Sequence, residues 1–152
     1  MSVSPETSAI LERFAAAWAS ADADRVMSLM TDDCVYEASV GPEPGQTFRG
    51  AVELRAGLEK MFAHDAATRT EVTDVFAVGD RAACEWRYYD AAGNLLARGC
   101  DLFVLRDGRI ARKNAFRKTT ACGWIFPCRF PMWPKFTWGN RCAFTFNRWT
   151  RI

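Results

Sequence analysis

Residues 99–110 read Gly-Cys-Asp-Leu-Phe-Val-Leu-Arg-Asp-Gly-Arg-Ile, and this stretch decides the fold. Asp107-Gly108 offers two residues that tolerate the positive φ angles of a tight hairpin turn, with β-type residues on either side. Strands are therefore expected over Leu95–Leu105 and Arg109–Lys118. Further back, Ala92-Gly93-Asn94 marks another turn. Before it, Glu71–Val78 and Ala82–Asp90 read as two more strands.

Upstream of these strands the apolar period is helical. Ser4-Pro5-Glu6 is a helix start, with a capping hydroxyl, a proline at the first helical position and an acid near the positive dipole end. Ile10, Leu11, Phe14, Ala17 and Trp18 then form one apolar face. Asp22 or Asp24 can cap a short second helix carrying Val26, Leu29 and Met30, and Cys34–Ala38 reads as a short strand. Gly41-Pro42-Glu43-Pro44-Gly45 is a loop. Leu54, Leu58, Met61 and Phe62 give a third helix over Ala51–Phe62. Three helices followed by an antiparallel meander is an α+β order. A curved sheet wrapped around the first helix would make a cone with an apolar pocket inside.

With 152 residues the chain has the length of one domain, and its 49% hydrophobic and 25% charged content is globular. No apolar run is long enough to span a membrane, and the N-terminus has no basic region leading into an apolar one. The expected compartment is the cytoplasm, where Cys34, Cys84 and Cys100 would be small buried hydrophobes. Charge is divided unevenly. All 18 acids and 10 of the 20 basic residues precede Gly108, a net −8, while the other 10 basic residues follow Asp107 without one acid, a net +10.

Three segments carry a resemblance to a known family. They are Leu11–Phe14 through Asp32–Glu37, Phe48-Arg49-Gly50-Ala51, and the hairpin Gly99–Ile110. In this order they resemble the SnoaL-like, nuclear transport factor 2-like superfamily over residues 8–118. That superfamily includes ketosteroid isomerases, limonene epoxide hydrolases, polyketide cyclases, scytalone dehydratases and members without known catalysis. Fold alone does not choose among them.

The resemblance implies site residues one by one. For an isomerase, Asp101 matches the hydrogen-bonding acid, but the oxyanion tyrosine falls at Phe14, which has no donor. The base falls at or near Ala38, and Glu37 could serve only if a bulge re-aimed it. For an epoxide hydrolase, Arg87 and Tyr36 match, but the two acids fall at Tyr89 and Ala115. Dehydratase chemistry relies on two histidines. His64 is the one His here, and it reads better as a helix-end residue than as a catalyst. For a polyketide cyclase, the last strand offers Lys113, Asn114 and Ala115, leaving Asp101 as the acid.

Asp101 is therefore the candidate catalytic residue. In a cavity lined by Phe14, Trp18, Tyr36 and Phe103 it could give a proton or hydrogen bond to a ligand carbonyl. The competing reading makes it a structural ion pair with Arg87 or Lys113. On the strand Cys84–Asp90, alignment with the family turns Glu85, Arg87 and Tyr89 to the pocket and Cys84, Trp86 and Tyr88 to a dimer partner. The opposite facing puts Trp86 in the core and Arg87 in water.

Residues 119–152 differ in kind, with Trp124, Trp133, Trp138, Trp149, Cys122, Cys128 and Cys142, no acid and no sustained period. A basic aromatic tail could meet a membrane interface or single-stranded nucleic acid, and its three thiols are a weak metal signal. The favoured reading is a segment not selected with the body, such as read-through in a shifted frame, so contact with nucleic acid or membrane through it is disfavoured.

The whole reads as a domain over residues 1–118 that binds a small hydrophobic molecule and forms a homodimer. Any isomerase or cyclase chemistry would be acid–base, with no metal or organic cofactor. Asp101 would act on the ligand, with Phe14, Trp18, Tyr36, Arg87, Tyr89, Phe103 and Lys113 around it. The alternative is a non-catalytic binding or dimerisation module.

Overall fold

The computed structural model describes residues 5–41 and 45–119. Ser4, the tip of the glycine–proline loop and the tail beyond residue 119 lie outside the described residues.

Helix α1, Pro5–Ala19, buries Thr7, Ile10, Leu11, Phe14 and Ala17, the face its helical spacing predicts. Helix α2, Ala23–Ser28, starts where Asp22 accepts a hydrogen bond from the Arg25 amide at 2.9 Å. Strand β1, Met30–Glu37, begins earlier than its sequence suggests. A short strand β2, Thr47–Arg49, has no counterpart in the sequence reading. Three residues are too few for a period to declare itself. Helix α3, Gly50–His64, buries Leu54, Gly57 and Leu58. Strands β3 (Arg69–Val78), β4 (Arg81–Tyr89), β5 (Leu95–Arg106) and β6 (Arg109–Thr119) follow.

The six strands form one curved, unclosed sheet in the order β2-β1-β6-β5-β4-β3. The expected antiparallel meander is present from β3 to β6. The sheet as a whole is mixed, however, because β1 joins β6 in parallel and β2 pairs antiparallel with the far side of β1. Most of the chain separates β1 from β6, so local periodicity carries no trace of this contact. Register shifts interrupt four of the strand pairs. Such bulges bend and twist a sheet.

The β5–β6 turn fits its sequence. Asp107 and Gly108 take φ angles of 52° and 71°, and Arg106 beside them pairs with Asp33 of β1. No helix among the described residues is long and apolar enough to cross a membrane.

Gly108→Ala keeps the turn but places a Cβ in the left-handed region, costing about 1 kcal/mol. The thermal midpoint should fall by about 4 °C in a melt followed by circular dichroism; an unchanged midpoint would mean the turn relaxes to another type.

Candidate functional site

Alternation on β5 and β6 turns Asp101 and Phe103, and Lys113, Ala115 and Arg117, toward the same inner face. Phe103 lies opposite Lys113 and Asp101 opposite Ala115. Asp101 and Lys113 are thus diagonal neighbours, a gap that a lysine side chain spans. The Lys113 ammonium stands 2.7 Å from Asp101 Oδ2. The other carboxylate oxygen accepts a hydrogen bond from Trp86 Nε1 at 2.9 Å. Lys113 faces Tyr36 across the parallel β1–β6 pair and donates to its hydroxyl at 3.2 Å.

Both charges are out of water: Lys113 is 3% exposed and Asp101 7%. Four rings surround the ammonium. Its nitrogen is 4.5 Å from the centroid of Tyr36, 5.6 Å from Trp18 and 5.9 Å from both Phe14 and Phe103. Negative ring faces suit a cation. Burial by itself would pull the Lys113 pKa down. The Asp101 charge and the hydroxyl of Tyr36 outweigh it and hold the pKa above the usual lysine range. Burial likewise holds the Tyr36 phenol above its ordinary range, so it is a neutral hydroxyl. Since that oxygen accepts from Lys113, the hydroxyl hydrogen is left to donate elsewhere.

Gly99 makes this arrangement possible. It lies opposite Trp86, and a Cβ there would fall 2.3 Å from the Trp86 ring and 2.2 Å from the Phe116 carbonyl oxygen. Only a residue without a side chain lets the indole lie across β5 and reach Asp101.

A cavity of about 760 Å³ lies between α1, α3 and the inner sheet face. Phe14, Trp18, Tyr36, Asp101 and Phe103 line it, and Lys113 pairs with Asp101 and donates a hydrogen bond to Tyr36. Arg87 and Tyr89 do not join them. Arg87 is exposed on the opposite face, and the Tyr89 ring carries the Arg69 guanidinium at 4.4 Å. Cys84, Trp86 and Tyr88 take the inner face instead. The physical reason is burial: Trp86 and Tyr88 remove far more apolar surface from water than Arg87 could, and Arg87 inside would lack a counter-ion. Asp101 accordingly pairs with Lys113, not with Arg87.

Glu37 is not re-aimed either. Its register with β6 is regular, and its carboxylate meets the Arg112 guanidinium at 2.7 Å. Ala38 and Ala115, where acids were sought, line the cavity as methyl groups. His64 ends α3, exposed and 3.0 Å from Asp65. Cys34, Cys84 and Cys100 are free thiols, and burial followed by the Asp101 charge pushes Cys84 up to about 12. A thiol so raised is a poor nucleophile. Sequence reasoning turned Trp86 and Tyr88 to a dimer partner, with Trp86 in the core as the alternative, and passed over Arg117. The strand period of β4, and the Lys113-x-Ala115-x-Arg117 spacing on β6, are the signals that point to them. Trp18 Nε1 donates to the Tyr88 hydroxyl at 2.9 Å, tying α1 to β4 across the cavity.

Three helices on a curved mixed sheet, with aromatic and ionic groups gathered on its inner face, define a cystatin-like domain of the nuclear transport factor 2 kind. Residues 11–113 match the SnoaL-like domain, and the chain belongs to that family. No curated protein matches it. Among solved structures, a nuclear transport factor 2-like protein of unknown function from Mesorhizobium loti shares 31% identity and a TM-score of 0.64, over 74% of this chain and 91% of that one. A candidate isomerase of the SnoaL-like family from Agrobacterium tumefaciens shares 21%, over 76% and 99%, with a TM-score of 0.63. A candidate polyketide cyclase from Sinorhizobium meliloti shares 19%, over 74% and 99%, with a TM-score of 0.60. At these last two identities the likeness shows the fold alone.

Lys113→Met leaves a carboxylate buried without its cation and should cost about 3–5 kcal/mol in urea unfolding at neutral pH. Because the folded-state pKa of Lys113 is raised, its contribution is complete below its ordinary value of 10.5 and is lost as pH rises beyond it. As pH rises from neutral, the gap between wild type and variant should therefore hold until strong base. A gap that narrows as pH rises from 7 to 9 would contradict this linkage.

Proposed function

We propose that this SnoaL-like domain forms a cone whose cavity binds a small, largely apolar molecule carrying one hydrogen-bond acceptor, such as a carbonyl oxygen. The observation that supports it is the Tyr36 hydroxyl. It lines the cavity, accepts from Lys113 and keeps its own proton to donate. A neighbouring ammonium polarises that O–H group, and a donor fixed in an apolar wall sets the orientation of a ligand. Asp101 serves here as the anchor of Lys113, with both carboxylate oxygens already accepting hydrogen bonds.

A second reading, isomerase or cyclase chemistry, rests on the same hydroxyl. A hydrogen bond from Tyr36 to a carbonyl strengthens as charge develops on an enolate oxygen. The fold-level likeness to a candidate isomerase and a candidate cyclase supports it as analogy only. Catalysis would need a base that Ala38 and Ala115 do not provide, so binding is the stronger reading.

A second copy of the chain is the proposed partner. Phe76, Leu102 and Phe116 are 58%, 45% and 54% exposed on the outer sheet face. Phe76 and Leu102 flank Ala83, and Phe116 lies opposite Cys100, two residues from Leu102, so they make one apolar patch. Sedimentation at micromolar concentration should give a dimer; a monomer would oppose this.

The ligand test is a thermal-shift screen of the whole chain against steroids, terpene epoxides and aromatic polyketides. A ligand at about 100 times its dissociation constant adds roughly 2.7 kcal/mol, a shift of several degrees. Tyr36→Phe should keep the fold and weaken the best binder about tenfold. Equal binding by Tyr36→Phe would remove Tyr36 from the site, and no shift with any class would count against the cavity as a binding site.

A further inference from the structure

We propose that the ligand is an anion, an apolar carboxylate, whose carboxylate is held by Arg117. The inference rests on the cavity being a binding site and goes further by naming the chemistry of its occupant.

Arg117 lies on β6 two residues past Ala115 and lines the cavity. Its Nε is buried and, among the described residues, has no hydrogen-bond partner. Its guanidinium sits 5.7 Å from the centroid of the Tyr88 ring. That contact satisfies its charge in part and leaves the Nε–H group without an acceptor. A buried donor without an acceptor is unfavourable, so the group awaits one.

The charges around it do not supply that acceptor. Lys113 and Asp101 neutralise each other at 2.7 Å. Among the other ionisable groups lining the cavity, His64 and Asp65 meet at 3.0 Å, and Glu12 and Lys60 are exposed. No carboxylate of the described residues forms an ion pair with Arg117. Outside them the sequence holds one acidic side chain, Glu43, since no acid follows Asp107. The cavity wall therefore carries an uncompensated cation. A guanidinium fork matches a carboxylate, donating two parallel hydrogen bonds to its oxygens where an ammonium would offer a point charge.

Position sets the shape of the occupant. Lys113 and Arg117 are four residues apart on one extended strand, about 13 Å. Tyr36 marks the Lys113 end. A fitting ligand carries an acceptor such as a ketone at one end, a carboxylate at the other and a rigid apolar body between. A keto acid of three or four fused rings has this form.

The test uses the full chain and a matched pair of probes: an androstenone bearing a carboxylate on its last ring, and the methyl ester of the same compound. Binding is followed by quenching of tryptophan fluorescence and by calorimetry at physiological ionic strength. The acid should bind roughly ten- to a hundredfold tighter than the ester. Arg117→Met should bring acid and ester to the same affinity, and Arg117→Lys should restore part of the preference for the acid. Equal binding of acid and ester by wild type would overturn the carboxylate assignment and leave the cavity reading standing. A preference for the acid that persists in Arg117→Met would place the anion elsewhere, on the basic tail for example, and would also overturn it. Failure of both probes to bind would count against the cavity itself, and this inference would fall with it.

Discussion

An ammonium and a carboxylate, 2.7 Å apart and almost closed to water, are held by Lys113 and Asp101 inside a ring of aromatic side chains. Transferring either ion alone to such a place costs several kcal/mol, against a net stability of about 5–15 kcal/mol for a whole domain. The pair is tolerable because nearly every remaining polar valence around it is answered. Trp86 takes one carboxylate oxygen, Tyr36 receives the ammonium, and four rings turn their faces to the positive charge. The rest of the inner face is built to permit this.

Gly99 is the clearest dependent part, since the Trp86 indole occupies the space a side chain would need. The parallel contact of β1 with β6 is another, because it carries Tyr36 to the position opposite Lys113. Helix α1 completes the ring with Phe14 and Trp18, and Trp18 is itself fixed by the Tyr88 hydroxyl. Bulges in the sheet let the strands curve toward α1. A flat sheet could not keep groups from β1, β4, β5 and β6 around one ammonium.

The ion pair also limits the chemistry. A lysine held as an ammonium is no nucleophile or base, and Cys84 beside it is held as a thiol. Ala38 and Ala115 put methyl groups where acids could have stood. On the proposed reading, a ligand would meet an apolar wall, the Tyr36 proton and the Arg117 guanidinium.

Much of the architecture was legible in the sequence. The apolar spacing of Ile10, Leu11, Phe14 and Ala17 determined the buried face of α1, Asp22 the start of α2, and Asp107-Gly108 the last hairpin. These are local signals, written within a few residues by backbone sterics and hydrophobic period. Asp101 and the aromatic lining were legible too, because a resemblance over residues 8–118 gave them positions. Tertiary structure decided the rest. Whether Arg87 or Trp86 faced inward turned on one residue of register, which only burial of the larger apolar side chain could settle. The choice of Lys113 as the partner of Asp101, and the open hydrogen-bonding capacity of Arg117, come from strands brought side by side and from a chain that wraps to pair β1 with β6. No local pattern encodes such contacts, because they join residues whose only relation is the space they share.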